Sequence, residues 1–203
     1  MQGQRRIVLA STSAYRRALL QRLGLEFETA APAVGEDRRP GEAPEAMVER
    51  LAVAKAAEVG ARFPDTLVIG SDQCAALGAE ILGKPGSHER AAGQLARLSG
   101  QRVEFHTGLC LIDTAKGRRW SGVVPFTVHM RDLDAGEIDR YLRIERPYDC
   151  AGSFKSEALG IALFRAMEGS DPTALIGLPL IRLCEWLREA GVAVPPDHPA
   201  KPA

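Results

Sequence analysis

The chain has no surplus of charge: 26 Lys and Arg face 26 Asp and Glu, for a formal net charge of +0. A nucleic-acid-binding domain ordinarily carries a basic surplus, so that function class is disfavoured. Any affinity for phosphate has to come from a few placed cations instead of a general field. Long apolar runs are missing too. Ile7-Val8-Leu9-Ala10 near the N-terminus is too short for a signal-peptide core or a membrane span, and this points to a cytoplasmic protein with no membrane partner. The four cysteines, Cys74, Cys110, Cys150 and Cys184, are widely separated and form no metal-ligand pair. Cys74, Cys110 and Cys184 sit among apolar neighbours, where a reduced thiol behaves as a small core residue. The four histidines show neither nucleophile nor metal spacing. There is no Gly-x-x-x-x-Gly-Lys loop and no Rossmann glycine fingerprint, which argues against a kinase-like or dinucleotide enzyme.

What is present is ordinary for a globular domain: 203 residues, 45% hydrophobic and 26% charged. That length supports one large domain, taken here as 1–194, with the proline-rich stretch 195–203 as a disordered tail. Strand and helix signals alternate. Arg6 to Ala10 reads as a strand. A helix from Ala14 to Leu23 is opened by a hydroxyl cap at Thr12 or Ser13 and closed by Gly24. Leu25 to Ala30 reads as a second strand, Gly35 to Ala43 as a polar loop, and Pro44 to Phe63 as a long helix with proline in its first turn. Thr66 to Ile69 is a buried strand, and Ser87 caps a helix to Leu98. Arg102 to Ile112 and Arg119 to Met130 alternate as antiparallel strands around the turn at Lys116-Gly117. Asp134 and Glu137 form a capping box for a helix through Leu142. Gly160 to Phe164 reads as a strand, and Pro179 to Ala190 as the last helix. The expected fold is α/β, a mixed sheet flanked by helices with a cleft between two lobes.

Five local features bear on chemistry. Ser11-Thr12-Ser13-Ala14-Tyr15-Arg16-Arg17 puts hydroxyls and two arginines at a helix start. Cations there oppose the helix dipole unless an anion offsets them, and a strand, turn and helix N-terminus make a natural phosphate site. The alternative is that both arginines point into water. Val48, Leu51, Ala52, Lys55 and Val59 fall on one helical face, so Lys55 lies on the apolar side, either snorkelling at its edge or held at a pocket wall. Gly70-Ser71-Asp72-Gln73 follows an apolar strand, the end at which α/β proteins place ligands. Asp72 there can ligate a divalent cation, accept a proton from water, or simply cap a turn. Gly83-Lys84-Pro85 fixes a lysine in a stiff turn, and 150–157 interleaves small residues with Phe154, Lys155 and Glu157. Together these supply the cations and the carboxylate that a triphosphate requires.

Leu9-Ala10-Ser11-Thr12-Ser13-x-x-Arg16-Arg17 resembles the opening signature of the Maf family. Glu36, Lys55, Gly70-Ser71-Asp72-Gln73, Gly83-Lys84-Pro85, 152–157 and Gly177-Leu178-Pro179-Leu180 follow in that family's order, and the resemblance spans about residues 6 to 190. Ala14 stands where proline is usual, and Gly35 where an aspartate commonly precedes the glutamate. The Ser-Asp-Gln and Lys-Ser-Glu versions look like the 7-methyl-GTP pyrophosphatase subgroup. The resemblance implies a Maf/ITPase-like fold, assembly as a homodimer, and hydrolysis of a nucleotide substrate between its α and β phosphates. On this reading Asp72 accepts the proton of water. Ser11, Ser13, Arg16, Arg17, Lys55, Lys84 and Lys155 bind phosphate, and Tyr15, Gln73 and Glu157 set base specificity. Glu36 and Asp72 hold a divalent metal cation, Mg²⁺ or Mn²⁺. A dTTP/UTP enzyme, a house-cleaning enzyme for altered purine triphosphates, and a non-catalytic regulator of septum formation are the alternatives.

Overall fold

The computed structural model describes residues 5–197. Four short or moderate elements open the chain: β1 (Arg6–Leu9), α1 (Ala14–Gln21), β2 (Glu28–Thr29) and α2 (Pro44–Gly60). Then come β3 (Thr66–Leu77), β4 (Glu80–Leu82), α3 (His88–Leu98), β5 (Arg102–Asp113) and β6 (Arg118–Met130). The last elements are α4 (Ala135–Glu145), β7 (Phe164–Glu168) and α5 (Leu180–Glu189), with three short 3-10 turns at Ala151–Ser153, Leu159–Leu163 and Pro172–Ile176. The mixed α/β expectation holds. One seven-stranded sheet runs β2-β1-β3-β5-β6-β7, with β4 paired to β3. β1 is parallel to β2 and β3, and the long β3-β5-β6 meander is antiparallel.

Local signals explain most element ends. Ser13 caps α1 by accepting from the Arg16 amide, Ser87 caps α3 through the Arg90 amide, and Asp134 with Glu137 closes a capping box on α4. Pro44 begins α2, where its missing N–H is harmless.

The long strands run through two apolar centres. One gathers Leu95, Phe105, Phe126, Leu142, Phe154 and Phe164 beneath α3 and α4. The other packs Leu9, Leu20, Ile69, Leu111, Leu183 and Trp186 between the sheet, α1 and α5. On the opposite face, α2 covers the sheet with Val48, Leu51, Ala52, Ala56 and Val59. β3 passes from one centre to the other, giving Leu67 and Ile69 to the second and Ala75 to the first.

Three sequence expectations need correction. The strand beginning at Thr66 does not end at Ile69; it continues to Leu77, so Gly70 to Gln73 lie inside β3 and pair with Cys110 to Thr107 of β5. Polar residues interrupt the apolar run there because their side chains are bonded within the fold. Gly160 to Phe164 is not a strand. Leu159–Leu163 coils as a 3-10 turn, and β7 starts only at Phe164. At Gly160 a Cβ would lie 2.3 Å from the Lys155 carbonyl oxygen, so the segment folds tightly back on its own loop instead of extending. The strand expected over Leu25 to Ala30 shrinks to Glu28–Thr29, enough for two pairs with β1. Of the expected tail, residues 198–203 lie outside the described residues; just before it, Val194 accepts hydrogen bonds from Arg188.

Candidate active site

The site begins with two glycines. A Cβ on Gly70 would sit 2.2 Å from the Ala52 carbonyl oxygen, and one on Gly108 would sit 2.2 Å from that of Val48. Without side chains at these two positions, α2 lies directly on β3 and β5. Asp72 pairs with Gly108 across the strands and, by the period-2 alternation of a strand, faces α2 with Gly70. Lys55 projects from α2 onto this spot. Its Nζ lies 2.6 Å from Asp72 Oδ1 and 2.5 Å from Glu36 Oε1, with the lysine side chain only 6% exposed. The apolar-face lysine is therefore a buried bridge between two carboxylates, not a snorkelling side chain. The bond to Lys55 holds Glu36 below the usual carboxylate range, assisted by the nearby charges of Arg16 and Lys84.

The other face of β3 holds Ser71 and Gln73. The Ser71 hydroxyl lies 2.9 Å from the carbonyl oxygens of both Gly108 and Gly177. The Gln73 amide nitrogen donates to Ala174 and Leu175 carbonyls and to Thr107 Oγ1. Arg16 Nε donates to the same Gly177 carbonyl at 2.8 Å. Burial pulls the Arg16 guanidinium below its ordinary value, against the raising influence of Asp72 and Glu36. It remains a cation at neutral pH because guanidinium is so strong a base. Asp171 anchors this strap: its carboxylate accepts from the Thr173 amide and hydroxyl and from the Ile181 amide.

These groups open onto one cavity of about 880 Å³. Ser11, Ser13, Tyr15, Arg16, Glu36, Lys55, Asp72, Gln73, Lys84, Lys155 and Glu157 all line it, so eleven of the twelve expected site residues come to a single place. The exception is Arg17, which is exposed and directs Nη2 to Thr29 Oγ1, away from the cavity wall. Successive residues of a helix point about 100° apart, so Arg16 and Arg17 cannot share one target. Ser11 and Ser13 also serve the turn itself: Ser11 Oγ accepts from the Ser13 amide, and Ser13 Oγ from the Arg16 amide.

The far wall is formed by 149–157. The Lys155 amide donates to the Tyr141 hydroxyl, which fixes the loop. Desolvation pulls the Lys155 ammonium down, but Tyr15, Cys150, Glu145 and Asp149 raise it by more, so it sits above the ordinary lysine range. Burial raises Tyr15, as do the neighbouring Cys150 and Asp149. The Cys150 thiol is pushed up to about 12, by burial first and then by Asp149. Phe105 and Phe154 supply apolar surface on this side, their rings 5.5 Å apart.

Sequence reasoning missed two charged residues of the wall, Arg38 and Asp149. Arg38 lies two residues after Glu36 in the polar loop, and Asp149 immediately precedes Cys150; each stands beside a residue already singled out, but no periodicity marks either. Among the described residues no group of three His, Cys, Asp or Glu converges to hold a metal ion. Glu36 and Asp72 are the two carboxylates drawn together on Lys55, while Asp149 and Glu157 stand elsewhere on the cavity wall.

The family profile described as Maf-like protein matches residues 6–190. A Nitrosococcus oceani protein named 7-methyl-GTP pyrophosphatase is 57% identical over 188 residues, covering 93% of this chain and 94% of its own. One of the same name from Pseudomonas aeruginosa is 54% identical over 93% of this chain and 98% of its own. A third, from Xanthomonas axonopodis pv. citri, is 55% identical over 94% and 99%. Among solved structures, the Staphylococcus aureus Ham1 protein superposes with a TM-score of 0.51 at 14% identity, covering 92% of this chain and 100% of its own, which is a likeness of fold.

Proposed function

The chain belongs to the Maf-like protein family, and from that premise we propose that it is a nucleotide pyrophosphatase hydrolysing 7-methyl-GTP to the monophosphate and pyrophosphate. The observation that carries this reading is Lys55, buried between Asp72 and Glu36 on the wall of a cavity that also presents Arg16, Lys84 and Lys155. Four cations beside a pair of carboxylates match a substrate with several negative charges and a water to activate. Relatives named 7-methyl-GTP pyrophosphatase, at 54–57% identity over more than nine-tenths of the chain, favour this substrate over the dTTP/UTP, altered-purine and regulatory alternatives.

Arg16, Lys55, Lys84 and Lys155 neutralise the phosphate chain, and preorganised charge of this kind is commonly the largest catalytic contribution. Asp72 takes one proton from water. The resulting hydroxide attacks the α-phosphorus, the bond from that phosphorus to the α-β bridging oxygen breaks, and pyrophosphate leaves with the electron pair. Lys55 holds the Asp72 carboxylate in place, its Nζ 2.6 Å from Oδ1. Glu36 and Asp72 are hard oxygen donors suited to Mg²⁺ or Mn²⁺, which take one or two protein carboxylates and complete their shell with water and phosphate oxygens. When bound, such an ion polarises the phosphoryl oxygens. At the base end, Tyr15 offers an aromatic face to the cationic 7-methylguanine. Glu157 offers a carboxylate to its N1–H and exocyclic amine. With the Gln73 amide nitrogen engaged by the 174–175 carbonyls, its contribution to base choice runs through Oε1 or through the strap it holds.

The test is a pyrophosphate-release screen over 7-methyl-GTP, GTP, dTTP and UTP, with Asp72→Asn and Glu157→Gln alongside the wild type. Asp72→Asn is expected to lose at least about a hundredfold in kcat, the scale of a positioned general base. Glu157→Gln should retain turnover while losing preference for the methylated base. Near-normal activity in Asp72→Asn removes the base assignment, and release of orthophosphate removes the choice of bond. Turnover of no nucleotide leaves the regulatory alternative.

A further inference from the structure

The loop between β2 and α2 contributes one cation to the cavity that the reaction scheme above does not use. Arg38 lines the cavity together with Glu36, Lys55, Asp72 and Lys84. Cys74, two residues from Asp72 on the same face of β3, lines the same cavity. The Arg38 side chain is tethered at one point. Arg38 Nε donates to the Glu42 carbonyl at 2.8 Å, and Glu42 is clamped by Arg50 through two bonds of 2.5 and 2.7 Å. Arg50 reaches back to the Asp37 carbonyl, and the Glu42 carboxylate also accepts from the Arg39 amide. The polar loop is thus stapled to α2 at a point that leaves the Arg38 guanidinium exposed at the cavity.

A guanidinium has five N–H donors, and the tether uses one. Among the described residues the remaining four have no hydrogen-bond partner, and no carboxylate forms an ion pair with Arg38. The nearby carboxylates that could neutralise it are engaged elsewhere, Glu36 and Asp72 by Lys55 and Glu42 by Arg50. A planar fork left open over a cavity built for anions matches the bidentate geometry of phosphate oxygens.

We propose that Arg38 is a phosphate-binding residue of this site, delivering a fork from the 31–43 loop to the terminal, pyrophosphate-forming part of the nucleotide. The inference rests on the reading of this cavity as a triphosphate site. Because Arg38 and Glu36 share one stapled loop, binding of the pyrophosphate portion by Arg38 also holds Glu36 in place over Lys55.

The probe is pyrophosphate alone with Mg²⁺, titrated calorimetrically into wild type, Arg38→Gln and Arg38→Lys, with 7-methylguanosine as the phosphate-free comparison. Arg38→Gln is expected to weaken pyrophosphate binding about tenfold or more, the effect of losing a charge-assisted pair of hydrogen bonds. Arg38→Lys, which keeps the charge but loses the fork and the Nε tether, should fall between the two, and 7-methylguanosine should bind all three alike. Unchanged pyrophosphate affinity in Arg38→Gln overturns the proposal, as does an equal loss of 7-methylguanosine binding, which would mark a general disturbance of the loop. A wild type that binds no pyrophosphate overturns both this proposal and the triphosphate reading. Arg38-dependent pyrophosphate binding without hydrolysis of any nucleotide would instead leave Arg38 standing and remove the enzymatic reading.

Discussion

Replacing Lys55 with methionine should destabilise the protein more than removing either of its partners. Lys55 Nζ lies within 2.6 Å of an oxygen on both Asp72 and Glu36, so the two carboxylates stand no more than about 5 Å apart, a range in which like charges strongly disfavour joint ionisation. Lys55→Met leaves both facing each other without their cation. Removing one partner of a buried ion pair costs about 3–5 kcal/mol. The lower figure applies here, because Glu36 is 65% exposed and water screens it. About 3 kcal/mol corresponds to a fall in Tm of about 6–12 °C for a chain of this size. Asp72→Asn leaves the buried Lys55 paired with Glu36 and should cost less, about 1–2 kcal/mol. In Lys55→Met/Asp72→Asn one of the two facing charges is gone, so the double variant should be at least about 1 kcal/mol more stable than the sum of the singles. The pH dependence has a defined sign. In wild type the folded Glu36 lies below its usual value of 4.5, so its contribution is present above that pH and is lost as pH falls through the lowered value. In Lys55→Met the paired carboxylates move up, so the variant's deficit grows as pH rises from 4 to 7. Thermal denaturation of the four proteins at pH 4 and pH 7 measures all of this. A Lys55→Met variant no less stable than Asp72→Asn at pH 7, or a deficit that shrinks as pH rises, would refute the picture of one cation holding two carboxylates.

Other expectations follow from the same geometry. Gly108→Ala sets a methyl 2.2 Å from the Val48 carbonyl, so α2 must shift; overpacking of this kind costs about 1–3 kcal/mol, and urea denaturation should show it alongside lost activity. Asp171→Ala removes the acceptor of the Thr173 and Ile181 amides, costing about 1–2 kcal/mol as lost caps do. It should also raise KM, since the strap it anchors holds Arg16. Cys74, Cys110 and Cys150 are each pushed up to about 12, so at pH 8 a thiol reagent should label them far more slowly in the folded protein than in denaturant.

Much of the site was legible because its residues break a local rule. Lys55 stands on an apolar helical face, Asp72 interrupts an apolar strand, and Arg16 sits at the helix end that disfavours cations. Each violation marks a partner brought from elsewhere in the chain. Helix caps were legible for the converse reason: Ser13, Ser87 and Asp134 satisfy amides three residues away, and such bonds are encoded locally. What was not legible depends on distant contacts. The extension of β3 through Gly70 to Gln73 rests on pairing with β5, and the coil at Gly160 on packing against the Lys155 backbone. Arg17 adjoins Arg16 in sequence, but the step around the helix turns it away to Thr29 of β2. Arg38 breaks no rule in a polar loop, so nothing local distinguishes it from a solvated side chain.

The alternation along β3 also bears on how this site can change over time. Asp72 serves one face, with Lys55, while Ser71 and Gln73 serve the other, with the 174–177 strap. Deleting or inserting a single residue between Thr66 and Ser71 would exchange those assignments, sending the carboxylate to the strap and a neighbour to Lys55. Length variation is therefore closed to lineages within this strand. It stays open in the segments that end on the cavity rim, 31–43 and 149–157, where a residue gained or lost need not invert anything behind it. Divergence in substrate choice among descendants of such a protein should accordingly be written as changed loop lengths at the rim over a strand of constant length.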